Sequence, residues 1–127
     1  MVNDAFITFL EITKRLRREC PWDREQTHES IRASLIEEAY EVVEAIDGND
    51  LDELKKELGD VLLHVVFHSN IAEERNEFTL EQVIAGITAK LIFRHPHVFG
   101  TTNAGNADDV KRNWEKLKME EGRNSLL

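Results

Sequence analysis

Four carboxylates are spaced to work together: Glu38 with Glu41, and Glu57 with Asp60. Each pair has a three-residue separation, so on an α-helix its two members project side by side. Glu38 falls at the margin of an apolar stripe made by Ile31, Leu35, Ala39, Val42 and Ile46, with Glu41 one turn on. Glu57 and Asp60 share a face with His64, Phe67 and Ile71, and that face becomes apolar one turn later. Two carboxylates ~5 Å apart repel by roughly 3 kcal/mol at an effective dielectric near 20. Four such groups must be protonated, bridged by basic side chains, or bound to a hard cation. An all-oxygen set without Cys or paired His suits Mg²⁺, with Mn²⁺ as a substitute. The competing reading has both helices turning these acids to solvent, with no site at all. Asp60 argues against that, because its face is the wrong one for solvent.

Helices must carry these groups. A first helix precedes Pro21, with Phe6, Phe9, Leu10, Thr13 and Leu16 at helical spacing and Asn3 or Asp4 as its cap. Cys20-Pro21-Trp22-Asp23 reads as a connection. A second helix runs from about Glu29 to Ile46, and Gly48-Asn49-Asp50 ends it. A third, from about Leu51 to Glu74, is apolar around much of its circumference, as befits a bundle centre or a subunit interface. The short connection makes these two antiparallel, so that the acidic pairs face one another. Thr79-Leu80-Glu81-Gln82 has the spacing of a capping box and opens a fourth helix that stops before Pro96. A polar loop from Gly100 to Ala107 leads to a fifth helix, about Asp108 to Glu121. No convincing strand is present. The expected architecture is all-α, a bundle of about five helices with the acidic site between the two central ones, expected to dimerise.

Composition narrows the function. The chain has 127 residues, 16 Lys plus Arg against 25 Asp plus Glu, and a net charge of −9. One domain, residues 1–127, is the default at this length. The charge argues against bulk binding to nucleic acid or to acidic lipid. No apolar run approaches the ~20 residues of a membrane span, and no signal-peptide pattern opens the chain. The lone Cys20 fits a reducing cytosol, and a cytoplasmic location is expected.

Several other side chains have two readings each. Lys90 and Arg94, four apart, form either a phosphate clamp or a solvated helix end. Trp114 and Lys118 repeat that spacing, with Trp114 either stacking on a base or packing in the core. Trp22 is a lid, a base platform or an anchor. His64, one turn beyond Asp60, reads best as a buried histidine satisfied by a neighbour, and His95 and His97 as members of an ordered loop around Pro96.

Glu37-Glu38-Ala39-Tyr40-Glu41 followed by Glu57-Leu58-Gly59-Asp60 resembles the Glu-Glu-x-x-Glu … Glu-x-x-Asp signature of MazG-type nucleotide pyrophosphohydrolases. Further blocks agree in order: Cys20-Pro21-Trp22-Asp23 with Gln26-Thr27-His28, Leu62 to His68, Arg94 to Gly100, and Asn113-Trp114-Glu115. The resemblance implies an all-α, Mg²⁺-dependent hydrolase that cuts a nucleoside triphosphate to the monophosphate and pyrophosphate, assembled as a homodimer or a dimer of dimers. It implies Glu38, Glu41, Glu57 and Asp60 as metal ligands, with Glu37 orienting or deprotonating the attacking water. Lys90, Arg94, Trp114, Lys118 and Trp22 are the candidate substrate contacts, and the matching blocks beside Arg94 and Trp114 favour that reading for Lys90, Arg94 and Trp114. Phe93 departs from the pattern, standing where the family often has a basic residue. Divalent metal would reconcile an acidic protein with an anionic substrate. A role in clearing aberrant or surplus nucleotides follows by family analogy alone.

Two other classes compete. A ferritin-like di-metal bundle normally uses Glu-x-x-His pairs, which the Glu-x-x-Glu and Glu-x-x-Asp pairs here do not match. A noncatalytic helical dimer that binds nucleotides or a protein partner is the alternative that keeps the same motif.

Overall fold

The computed structural model describes residues 1–101 and 104–125. Among them are seven helices and no strand: α1 Val2–Glu19, α2 Pro21–Glu25, α3 His28–Asp47, α4 Leu51–Glu74, α5 Leu80–Arg94, α6 Pro96–Phe99 and α7 Ala107–Ser125. The all-α expectation holds, with two short helices added to the five expected. Both lie where proline suggested only a break. Proline lacks a donor that the first turn does not use, and its fixed φ starts a helix as readily as it ends one. Cys20-Pro21-Trp22-Asp23 is therefore the start of α2 rather than a plain connection. Of the loop expected from Gly100 to Ala107, Thr102 and Asn103 lie outside the described residues.

The chain forms two units, residues 1–80 and 81–127. The first holds the acidic helices. Thr27 caps α3: its side chain accepts from Ser30 N, and Ser30 Oγ accepts from Thr27 N. Asp50 caps α4 by accepting from Glu53 N at 3.1 Å. Between these caps the chain reverses through Asn49, whose φ of 53° is a left-handed conformation that asparagine tolerates.

α3 and α4 then pack antiparallel. His28 meets His68, Ser34 meets His64, and Glu41 meets Glu57, so one index falls as the other rises. The small buried core is Ile31, Phe67 and Ile71. α1 crosses onto α4 through a buried bond from Asn70 Nδ2 to Thr13 Oγ1, 3.1 Å long.

The inward face of α3 differs from the apolar stripe. Ile31 and Ala45 are buried, and Ser34, Glu38 and Val42 are half-buried, whereas Leu35, Ala39 and Ile46 are exposed. The acidic side chain is on the inner face, and much of the apolar stripe lies outside it. On α4 the burial concentrates at the C-terminal half, Val66 to Ala72, while Leu58, Leu62, Leu63 and Val65 remain exposed.

In the second unit, Arg94 Nε donates to Glu121 Oε1 at 3.3 Å, tying the end of α5 to α7. Its guanidinium also lies 5.3 Å from the centre of the Trp114 ring.

Candidate functional site

Glu38, Glu41 and Glu57 bring one carboxylate oxygen each into a group whose members all lie within 4.8 Å of one another. Antiparallel packing places these oxygens together: Glu38 and Glu41 come from one side of α3, and Glu57 comes from α4. Glu57 is buried, Glu38 half-buried and Glu41 exposed, so the cluster runs from the helix seam out to solvent.

Crowding makes this cluster electrostatically costly. Bonding to Glu41 and then to Glu38, followed by burial, pushes the Glu57 carboxyl up to about 8. Burial raises that of Glu38, and the charges of Asp60 and Glu41 add to the rise, against a bond with Glu57 that lowers it. Carboxylates can bond one another only through a shared proton. Without that proton, Oε2 of Glu38 and Oε2 of Glu57 are buried with no hydrogen-bond partner among the described residues. Two orphaned, anionic oxygens facing a third carboxylate are what a small hard cation satisfies. The residues fit Mg²⁺ or Mn²⁺, since every donor is a carboxylate oxygen.

Asp60 stands outside this three-carboxylate group. It lies close enough to Glu38 to raise that carboxyl, and the two line one cavity of about 320 Å³. Trp22, Ile31 and Phe67 contribute apolar walls to the same cavity. Glu37 is exposed and takes no part in the cluster.

The histidines resolve as a chain along the α3–α4 seam. His64 Nε2 bonds Ser34 Oγ at 2.8 Å, as a satisfied histidine should, although its Nδ1 is buried without a partner among the described residues. His28 and His68 stack, with their Nδ1 atoms 2.8 Å apart, and His28 Nε2 reaches Glu77 at 3.1 Å. Burial, then the charges of His28 and His64, hold His68 below the usual histidine range. The i, i+4 spacing of His64 and His68 was visible in sequence. The partner His28, 40 positions away, was not.

The basic candidates gather in the second unit. Trp114 has Arg94 at 5.3 Å and Lys118 at 5.4 Å from its ring centre, and Glu121 takes the guanidinium of Arg94. The charge of Lys90 also reaches Glu121, whose carboxyl is lowered chiefly by its bond to Arg94. The four expected substrate contacts of this unit thus share a neighbourhood, with Trp114 already flanked by cations and Arg94 already paired.

Sequence reasoning passed over Arg17 as a structural element. Its guanidinium donates to the carbonyl oxygens of Asp23 and Gln26, pairs with Glu74, and lies over Phe67.

The model of the MazG nucleotide pyrophosphohydrolase domain matches residues 26–99, which span α3, α4 and the carboxylate cluster. The chain belongs to the MazG family. A Thermotoga maritima protein named nucleoside triphosphate pyrophosphohydrolase/pyrophosphatase MazG is 50% identical over 125 residues, covering 94% of this chain and 48% of that protein. The Escherichia coli K12 nucleoside triphosphate pyrophosphohydrolase is 42% identical over 118 residues, covering 93% of this chain and 45% of that one. The crystal structure of a MazG-related protein from Thermotoga maritima superposes with a TM-score of 0.72 at 30% identity, covering 87% of this chain and 96% of that one. The chain spans about a quarter to a half of the length of the curated relatives it matches. Among the described residues, no helix of this MazG chain is long and apolar enough to cross a membrane.

Proposed function

We propose that this chain hydrolyses nucleoside triphosphates to the monophosphate and pyrophosphate with Mg²⁺ bound at the carboxylate cluster. The observation that carries the reading is the pair of buried, unpartnered oxygens on Glu38 and Glu57 beside Glu41. Family membership and the names of its relatives supply the substrate class. Glu38, Glu41 and Glu57 would hold the ion, with Asp60 completing the set from the cavity they adjoin. When bound, Mg²⁺ supplies positive charge for the phosphate oxygens and lowers the pKa of a water.

The chain's own residues then position the reactants. The carboxylates alone would repel a triphosphate, so they would exclude it from the seam except where a bound cation offsets their charge. Glu37, exposed beside Glu38, is available to accept a proton from the attacking water. Lys90 and Arg94 would bind phosphate oxygens, with Arg94 leaving Glu121 to do so, while Trp22, Trp114 and Lys118 complete the substrate contacts. Residues 1–127 act as one MazG-like domain, in a cytoplasmic homodimer or dimer of dimers that clears surplus or aberrant nucleotides. The exposed apolar side chains of α3 and α4 support the dimer.

A panel of nucleoside triphosphates incubated with protein and Mg²⁺, with products separated by chromatography, tests the reading. Monophosphate and pyrophosphate in equal amounts are expected. Diphosphate with inorganic phosphate would place the cut at the other linkage, and no product from a folded, metal-loaded protein would support the noncatalytic alternative.

A further inference from the structure

The cavity beside the carboxylates is mostly apolar, and its polar lining is largely spent on the protein itself. Thr13 Oγ1 donates to Leu10 O at 2.8 Å and accepts from Asn70 at 3.1 Å. Ser34 Oγ and His64 Nε2 bond each other, and the remaining ring nitrogen, His64 Nδ1, is unpartnered among the described residues but buried. Glu38 and Asp60 belong with the proposed metal centre. Asp23 is different. It lines the cavity, its backbone carbonyl accepts from Arg17 Nη1 and from Gln26 N, and its carboxylate has no hydrogen bond or ion pair among the described residues.

Arg17 explains why Asp23 stays there. Its side chain is only 13% exposed and pairs through Nε with Glu74 at 2.7 Å. Nη1 binds the carbonyls of Asp23 and of Gln26, the latter at 2.9 Å, at the C-terminal end of α2. The guanidinium lies 5.8 Å from the centre of Phe67, itself part of the cavity wall. One side chain therefore docks the short helix carrying Trp22 and Asp23 against α1 and α4.

We propose that Asp23 is a specificity-determining acceptor for a hydrogen-bond donor on the nucleoside half of the substrate, and that Arg17 is the positioning residue that holds it. The inference rests on the nucleotide-hydrolysis reading above. An ionised carboxylate only accepts, so it repels phosphate and bonds N–H or O–H groups. With the triphosphate drawn to the metal, the part of the substrate left for Asp23 and the Trp22 wall is the base and sugar. A volume of about 320 Å³ is small for a ligand pocket but accommodates a flat ring system. A site built around a substrate donor discriminates sharply against an analogue lacking it, because the acceptor is then left unpaired.

The test is a set of cycles between protein and substrate. Three triphosphate pairs each delete one donor: adenosine against unsubstituted purine riboside, cytidine against pyrimidin-2-one riboside, and ribose against 2′-deoxyribose. They separate a base amine from a sugar hydroxyl. In wild type, at least one deletion should cost about ten- to a hundredfold in kcat/KM, the range of a hydrogen bond to a charged group. In Asp23→Ala that cost should fall to within about threefold, and Asp23→Asn should retain part of it. Inhibition by inorganic tripolyphosphate, which has no nucleoside, should be unchanged. Arg17→Lys keeps the charge but not the planar fork, and should weaken the same discrimination with tripolyphosphate inhibition intact.

Wild-type indifference to all three deletions, discrimination that survives Asp23→Ala, or parallel loss of tripolyphosphate inhibition would each overturn the proposal while leaving hydrolysis standing. Unaltered discrimination in Arg17→Lys would remove the positioning role. A wild-type protein that cleaves no nucleotide would remove the underlying reading and this inference with it.

Discussion

Glu57 on α4 and Glu41 on α3 present carboxylate oxygens within 4.8 Å of each other. That contact ties the protein's stability to pH. Bonding to Glu41 is the first cause of the rise that takes Glu57 from its ordinary 4.5 to about 8. Folding favours its protonated form, so this contribution is complete below 4.5, declines as pH rises, and is gone above about 8. Thermal unfolding with chelator present should show a lower Tm at pH 9 than at pH 6. Mg²⁺ should raise the Tm more at pH 9, where it does not compete with the proton. Equal Mg²⁺ stabilisation at both pH values would dissociate the cluster from metal binding.

Asp60→Asn separates a ligand from a structural partner. The substitution keeps shape and removes a charge that raises the Glu38 carboxyl. The metal-free protein should be as stable as wild type or more so at pH 8. Turnover at low Mg²⁺ should fall about tenfold or more, as loss of a charge-assisted contact implies. A large drop in Tm without metal would instead mark Asp60 as holding the fold.

Arg94 has two duties that substitution can split. It pairs with Glu121 through side chains that are 12% and 29% exposed, so Arg94→Ala and Glu121→Gln should both lower Tm. Only Arg94→Ala should also raise the KM for nucleotide, by about ten- to a hundredfold if it binds phosphate. A KM raised equally by both variants would make the effect one of local packing.

The outer faces of α3 and α4 expose Ile36, Tyr40, Val43, Leu58 and Leu62. A soluble monomer rarely leaves so many large apolar groups on adjoining helices. Light scattering at micromolar concentration should give at least a two-chain mass, and Leu62→Glu should shift it toward one chain. A one-chain mass for folded wild type would contradict the assembly.

How far the sequence carried depended on whether the signal was local. The bounds of α4, Leu51–Glu74, matched expectation because Asp50 caps the start and apolar residues run the length of the helix. The antiparallel facing of the acidic helices was legible because three residues cannot do more than reverse the chain. The inner face of α3 was not. Apolar periodicity selected Leu35 and Ile46, which lie outside, while the buried side is centred nearer Ser34 and Glu38. A hydrophobic stripe marks a face to be covered, without saying by which partner. The Arg17–Asp23 tether and the His28–His68 stack were hidden for another reason: each ties a side chain of one element to a group on another, the backbone carbonyl of Asp23 in the first case and the ring of His68 in the second, and no helical spacing encodes their approach.

Glu38, Glu41 and Glu57 are the proposed metal centre for nucleotide hydrolysis. Mn²⁺ binding followed by electron paramagnetic resonance, alongside pyrophosphate release, tests it in wild type and in Glu57→Gln. Wild type should bind Mn²⁺ and release pyrophosphate, with both abolished by chelator. Folded Glu57→Gln should bind Mn²⁺ at least about tenfold more weakly, as expected for loss of a charged ligand, and lose activity in proportion. Glu57→Gln with wild-type Mn²⁺ affinity and undiminished pyrophosphate release would contradict the account.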